Sequence, residues 1–245
     1  MQQLRAIHNI LRSSETRLEK LLLAALDQAH ADAAENYPEW KKCLPPLSVR
    51  LSKILTQELT RSAQAMANMS RDQMKAYYLT EKKNLPSQSE LRRSTSDWAR
   101  AHVAQKVSEI TSTTETRIAT AVADGIENDD SPDEIARSIV DRGQDINSAR
   151  ARTIARTETS AAVGTAQQDE MEAAGAELGV DLQKAWTATE DATTRETHSD
   201  ADGQTVGLDE AFEVGDAELD FPGDPNADAP EETINCRCVA IYGMG

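Results

Sequence analysis

Aromatic side chains are scarce in this 245-residue chain, 4% of the total, so any core must be assembled from Leu, Ile, Val, Ala and Met, as in long-helix proteins. Cysteine is nearly as rare. Cys43, Cys236 and Cys238 are too few and too unevenly placed for a disulfide framework, which points to synthesis in a reducing cytoplasm. No run of about 18 apolar residues occurs, so no segment is expected to span a membrane, and Met1 to Ala34 carries charges throughout, unlike a signal peptide. Positive charge is also short. With 26 Lys and Arg against 42 Asp and Glu, the net charge of -16 argues against a surface that grips nucleic acid all round. The chain shows no nucleophile motif, phosphate loop or dinucleotide turn.

The acidic excess is concentrated. Trp186 to Asn235 holds 15 acidic residues and one basic, whereas residues 1–185 hold 27 and 24. The two regions also differ in pattern. Leu4, Ile7, Leu11, Leu18, Leu21 and Ala25 repeat at three- and four-residue spacing, which predicts a long amphipathic helix that packs on its own neighbours or forms a seam for a partner. Tyr37-Pro38 through Pro45-Pro46 ends it. A second helix is expected from about Leu47 to Tyr78, with Leu51, Ile54, Leu55, Ala63, Met66, Met69 and Met74 on its apolar side. Lys82, Lys83 and Pro86 mark a connection, and Ser87 with Glu90 has the spacing of a capping box. Val103, Val107, Ile110, Ile118, Val122 and Ile126 carry a third helix to about Asn128, weakened by the Ser/Thr run at 111–116.

Ser131-Pro132-Asp133-Glu134 is a stronger start signal, combining a capping box, proline at the first helical position and two acids at the positive end of the dipole. It predicts a short helix ending at Gly143, then another capped by Asn147 or Ser148 and ending near Gly175. Beyond Gly179, Gln183–Ala188 and Asn235–Tyr242 read as short strands around a Gly-, Pro- and Asp-rich stretch. The fold class is therefore mainly α with a small C-terminal α+β module. Residues 1–130 form the region of long amphipathic N-terminal helices, and residues 131–245 form the module, whose two leading helices cover the sheet.

The module carries landmarks in a fixed order: Arg156-Thr157-Glu158-Thr159, Trp186, Asp191-x-x-Thr194-Arg195-x-x-His198, Asp202-Gly203, Phe221-Pro222-Gly223-Asp224-Pro225, and Asn235-Cys236-Arg237-Cys238. Over roughly residues 131–242 this order resembles the Mu F-like minor head (head morphogenesis) domain of tailed phages. The resemblance implies a structural, non-enzymatic virion protein of the capsid's portal vertex, present in a few copies and assembled in the host cytoplasm. It further implies portal protein and major capsid protein as partners, with a link to packaging or delivery of genomic DNA, and no membrane. One departure is clear: family members often have a histidine and proline just before Asn-Cys-Arg-Cys, where this chain has Glu232-Thr233-Ile234.

Several clusters admit more than one reading. Arg156, Glu158, Trp186, Asp191, Arg195, His198, Asn235, Cys236, Arg237 and Cys238 are expected to form a structural network, with Arg195 paired to Asp191 or Glu158. No cofactor is expected, two packed cysteines being the simpler reading. The alternative is a structural zinc on His198, Cys236 and Cys238, one ligand short unless Asp191 or Asp202 supplies the fourth. A metal-assisted hydrolase or toxin-like effector built on Asp191, Arg195, His198, Cys236 and Cys238 is the functional alternative. Asp200-x-Asp202-Gly203 imitates part of a calcium loop, but His198 and Asp209 stand at its first and last ligand positions. Arg137, Arg142, Arg150 and Arg152, continuing to Arg156, form a basic row open either to DNA or to contact with the acidic segment.

Overall fold

Leucine and alanine at helical spacing build four helices that carry most of the chain: α1 (Gln2–Glu35), α2 (Leu44–Thr80), α3 (Gln88–Glu127) and α4 (Pro132–Leu178). The computed structural model describes residues 2–80 and 88–245, without the side chains of 76 and 88–94, so the Ser87/Glu90 capping box lies outside the described residues. A small sheet region follows α4, and the chain is mainly α with a C-terminal α+β part, as its sequence leads one to expect.

On α1 the buried stripe is Ile7, Leu11, Ser14, Leu18, Leu22, Ala25, Ala29 and Ala33. From Leu18 the next step is four residues, to Leu22, so Leu21 turns outward and is 40% exposed. Likewise Ile126, expected on the apolar side of α3, is 61% exposed. The proline-rich break is a 3-10 turn, Trp40–Cys43, and Pro45 and Pro46 fall in the first turn of α2, where a missing N–H costs nothing. The Ser/Thr run does not end α3. Thr113, Thr114, Thr116 and Thr120 each donate their hydroxyl to the carbonyl four residues back, which satisfies these groups inside the helix.

α4 begins as its sequence predicts: Ser131 N–H donates to the Glu134 carboxylate at 2.8 Å and Glu134 N–H reaches back to the Ser131 hydroxyl. The expected stop at Gly143 is overturned, since one helix runs through to Leu178. A Cβ at 143 would lie 2.6 Å from the His30 ring, so this glycine serves close approach of a neighbouring helix and ends nothing. Asn147 is likewise no cap; it is buried and donates to the Asp27 carboxylate at 2.9 Å.

By contacts the chain forms two compact units, each drawn from several stretches. One comprises Thr16–Glu58 and Asp97–Ala155, with Ala33, Trp40, Cys43, Ile118, Ala121, Ile135 and Ile139 as its apolar cluster. The other comprises Met1–Glu15, Leu59–Ser96 and Arg156–Gly245, and its core joins Met74, Tyr78 and Met171 to Leu182, Trp186, Phe212, Leu219 and Tyr242.

Within the second unit the strands are β1 (Leu182–Thr187), β2 (Thr205–Gly207), β3 (Phe212–Val214), β4 (Ala217–Leu219) and β5 (Val239–Met244). An antiparallel sheet of order β2-β1-β5 sets Trp186 opposite Ala240 and Lys184 opposite Tyr242, while β3 and β4 make a separate hairpin. Two short helices, α5 (Glu196–Asp200) and α6 (Pro230–Thr233), complete it. The acidic stretch is thus more ordered than its composition implies. The last strand starts at Val239 and not at Asn235, because Asn235 takes φ 61°, a left-handed conformation that no strand continues through.

Candidate functional site

The left-handed turn at Asn235 is held from α4. Arg156 Nη1 donates to Asn235 Oδ1 at 2.8 Å, and the Asn235 N–H donates to the Thr157 hydroxyl at 2.9 Å, so consecutive helix residues grip one residue by side chain and backbone. Arg156 also lies 3.7 Å from the Glu15 carboxylate, and Glu158, two residues further on, is buried. The Phe-Pro-Gly-Asp-Pro turn docks on the same helix: a Cβ on Gly164 would meet the Phe221 ring at 2.4 Å, and one on Gly223 would meet the Ser160 hydroxyl at 2.7 Å. Asp224 closes that turn by accepting from the N–H groups of Asp220 and Asn226.

Asp191 is a second anchor. One carboxylate oxygen caps its own turn by accepting from the backbone and hydroxyl of Thr193, and both oxygens accept from the Arg237 guanidinium. Hydrogen bonds from Arg237, then Thr193, hold the Asp191 carboxyl far below the usual carboxylate range. The expected Asp191–Arg195 pair is therefore corrected. Arg195 donates instead to the Ile234 carbonyl at 2.6 Å, because it opens α5 and faces the segment just before Asn235. Thr189 donates to the Arg237 carbonyl, and Asp202 accepts from the Ala188 N–H at 2.8 Å, which ties the Asp-Gly turn to the end of β1.

These anchors bring His198, Cys236 and Cys238 together. His198 is 2% exposed, Cys236 2% and Cys238 3%. His198 Nδ1 lies 3.3 Å from Cys238 Sγ and 3.7 Å from Cys236 Sγ, and its Nε2 lies 3.0 Å from Glu232 Oε2, which also accepts from the Thr197 hydroxyl. The Trp186 ring meets His198 and Phe212 edge-on, each at 5.4 Å between centroids. Cys238 is pulled below the ordinary thiol range, chiefly by the hydrogen bond from the Cys236 thiol and then by His198; Cys236 is pushed up by that same bond and by burial.

Glu232 is the member that sequence reasoning missed. In the sequence it marks only a departure from the family pattern, yet it supplies the carboxylate behind His198. A carboxylate four residues before Cys236 is the only signal, and it is lost among the acids around it. Lys184 was missed too. It is 1% exposed on β1 with its ammonium 5.6 Å from the Phe212 ring centre, and burial lowers its pKa against the opposing pull of Asp220 and Glu172.

The basic row separates in space. Arg142 pairs with Asp124 at 2.6 Å, Arg152 with Glu19 at 3.1 Å, and Arg137 donates to the Asp133 carbonyl. Arg150 donates to the Thr114 hydroxyl and the Ile110 carbonyl, and burial lowers it to about 10. The acids these arginines meet are thus on α1 and α3, within their own unit, and not in the acidic segment after Trp186.

The family described as Phage Mu protein F like protein matches residues 116–241, about half of the chain, which includes His198, Glu232, Cys236 and Cys238 and the anchors Arg156, Asp191, Arg195, Asn235 and Arg237. The chain belongs to this family. It is 32% identical over 130 residues to the minor head protein GP7 of Bacillus phage SPP1, covering 51% of this chain and 39% of that protein. It is 34% identical over 122 residues to the uncharacterized protein YqbB of Bacillus subtilis (strain 168), covering 48% of this chain and 38% of that one. A third similarity, 37% over 92 residues, is to the NAD(+)--arginine ADP-ribosyltransferase EFV of Enterococcus faecalis (strain ATCC 700802 / V583), covering 38% of this chain and 18% of that protein. The chain therefore spans less than two fifths of each of these relatives. No solved structure matches it.

Proposed function

We propose that this chain is a structural minor head protein of a tailed phage, acting at the portal vertex during head morphogenesis, with portal protein and major capsid protein as its partners. Family membership supports the head role, and the relative named a minor head protein supports it further. The observation that carries the structural reading is how the landmark residues spend their polar groups. Arg156, Asp191, Arg195, Asn235 and Arg237 bind one another or nearby backbone, and His198 is 2% exposed, so the cluster braces a turn and offers no surface to a substrate. The similarity to an ADP-ribosyltransferase covers 18% of that protein, and its named activity is not carried over.

On this reading the long helices dock onto portal or shell, and a role in DNA packaging or delivery runs through the assembled vertex more than through the arginine row, in which Arg142 and Arg152 are paired with acids and Arg150 is half-buried. The test is co-expression of the full chain with the portal protein of the same phage, followed by affinity capture and sizing. A portal complex of defined stoichiometry that resists high salt is the expected result. Separate migration of the two proteins at every concentration would contradict the reading.

A further inference from the structure

Two sulfurs and one ring nitrogen converge at His198, Cys236 and Cys238, all buried. Among the described residues, His198, Cys236 and Cys238 are the one group of three or more such side chains whose ligand atoms lie close enough to hold a metal, all within 4.8 Å of one another. Tetrahedral zinc, with Zn–S near 2.3 Å and Zn–N near 2.0 Å, sets its ligand atoms about 3.5 Å apart for N···S and about 3.8 Å for S···S. The two observed N···S separations, 3.3 and 3.7 Å, bracket that edge. We propose that His198 Nδ1, Cys236 Sγ and Cys238 Sγ form a three-ligand binding site for a zinc-class divalent cation, with Glu232 as the positioning residue behind the histidine.

Two features argue for an ion over packing alone. The first is the orientation of the ring. In neutral His198 the carboxylate of Glu232 accepts the Nε2–H, which leaves the Nδ1 lone pair aimed at the sulfurs; a metal-bound histidine is held by the same carboxylate–imidazole arrangement. The second is the effort spent on the approach. Arg156 and Thr157 fix the left-handed Asn235, Arg195 fixes Ile234 and Arg237 is fixed on Asp191, so the residues on both sides of Cys236 are anchored from outside the cluster. Asp191 and Asp202 are committed to Arg237 and to the Ala188 N–H, and neither joins the ligand set. Bound there, the ion ties α5 to the segment that enters β5 and closes the acidic connection between the two outer edges of the module.

The experiment uses the full chain, purified under reducing, chelator-free conditions, with metal analysis followed by cobalt(II) titration of the stripped protein. About one equivalent of zinc as purified, and a thiolate-to-cobalt charge-transfer band that Cys43→Ser retains and Cys236→Ser or Cys238→Ser abolishes, is the expected result. Because the cysteine variants remove buried groups and their failure to fold would be ambiguous, Glu232→Gln supplies the second arm. It keeps the shape of the site, and about 10-fold or greater weakening of cobalt affinity with the band intact is expected. The proposal is overturned if the reduced wild-type chain gives no such band, if the band survives Cys236→Ser, if Glu232→Gln binds cobalt as tightly as wild type, or if the two cysteines persist as a disulfide that excludes the ion.

Discussion

Arg156 and Asn235 are 79 positions apart in sequence, yet the guanidinium of one donates to the side-chain oxygen of the other at 2.8 Å, and the neighbouring Thr157 takes the Asn235 N–H. This contact lets a mostly helical chain hold a left-handed turn beside two buried cysteines. It also defines the first prediction. Asn235→Ala loses the clamp and places a Cβ-bearing residue poorly suited to φ 61°, so a loss of about 2–3 kcal/mol is expected in urea denaturation. Asn235→Gly keeps the conformation and loses only the side-chain bond, so about 1 kcal/mol is expected. Equal losses for the two variants would show that the backbone conformation is not what asparagine serves.

Asp191 gives a pH dependence at the acid end. Its folded carboxyl is held below its ordinary value by Arg237 and Thr193, so its contribution is present above the ordinary aspartate range and is lost as pH falls towards the folded value. Denaturation midpoints of wild type should therefore drop between about pH 4 and pH 2 more steeply than those of Asp191→Asn. Parallel curves would remove Asp191 from the scaffold.

Glu170 works in the opposite direction. Burial in α4 raises its carboxyl to about 7, with Arg71 pulling down and Asp169 adding to the rise. The group's folded value lies above its unfolded one, so the stability it permits is full below about 4.5 and falls as pH rises through about 7. Glu170→Gln should leave stability at pH 5 nearly unchanged and raise it by on the order of 2 kcal/mol at pH 8. A variant that tracks wild type across this range would contradict the shift.

Gly143 tests the reinterpretation of α4. In a free helix Gly→Ala is stabilising by about 1 kcal/mol, but here the added methyl meets the His30 ring at 2.6 Å. Gly143→Ala is expected to destabilise by about 1–3 kcal/mol. The same change in a His30→Ala background should be neutral or stabilising, because the obstructing ring is gone.

For the arginine row, weak binding of the isolated chain to duplex DNA with a shallow salt slope is expected, since Arg142 and Arg152 already hold acids. A slope corresponding to four or more phosphates, reduced by charge removal at Arg142 or Arg152, would restore a direct DNA role.

How much of this was legible beforehand depends on the range of the interaction. The start of α4 was readable because a capping box and a first-turn proline act within four residues. Its continuation through Gly143 was not, because the reason for that glycine is a ring on another helix, 113 positions away. The same holds at the site. His198, Cys236 and Cys238 announce themselves by residue type, but that Asp191 pairs with Arg237 and not Arg195 depends on where the turn before β5 points, and Glu232 is one acid among many until the fold sets it against His198. Local rules also misplaced Leu21, where a step of three or four residues was equally consistent with the spacing and packing decided for Leu22.

The central claim, a structural place in the phage head, is tested most directly by quantitative mass spectrometry of gradient-purified heads and of the soluble fraction from the same lysate. The chain is expected in the heads at a few copies per portal, retained in DNA-free particles and lost from particles assembled without portal. Recovery of the chain only in the soluble fraction, with heads of normal composition lacking it, would contradict the account.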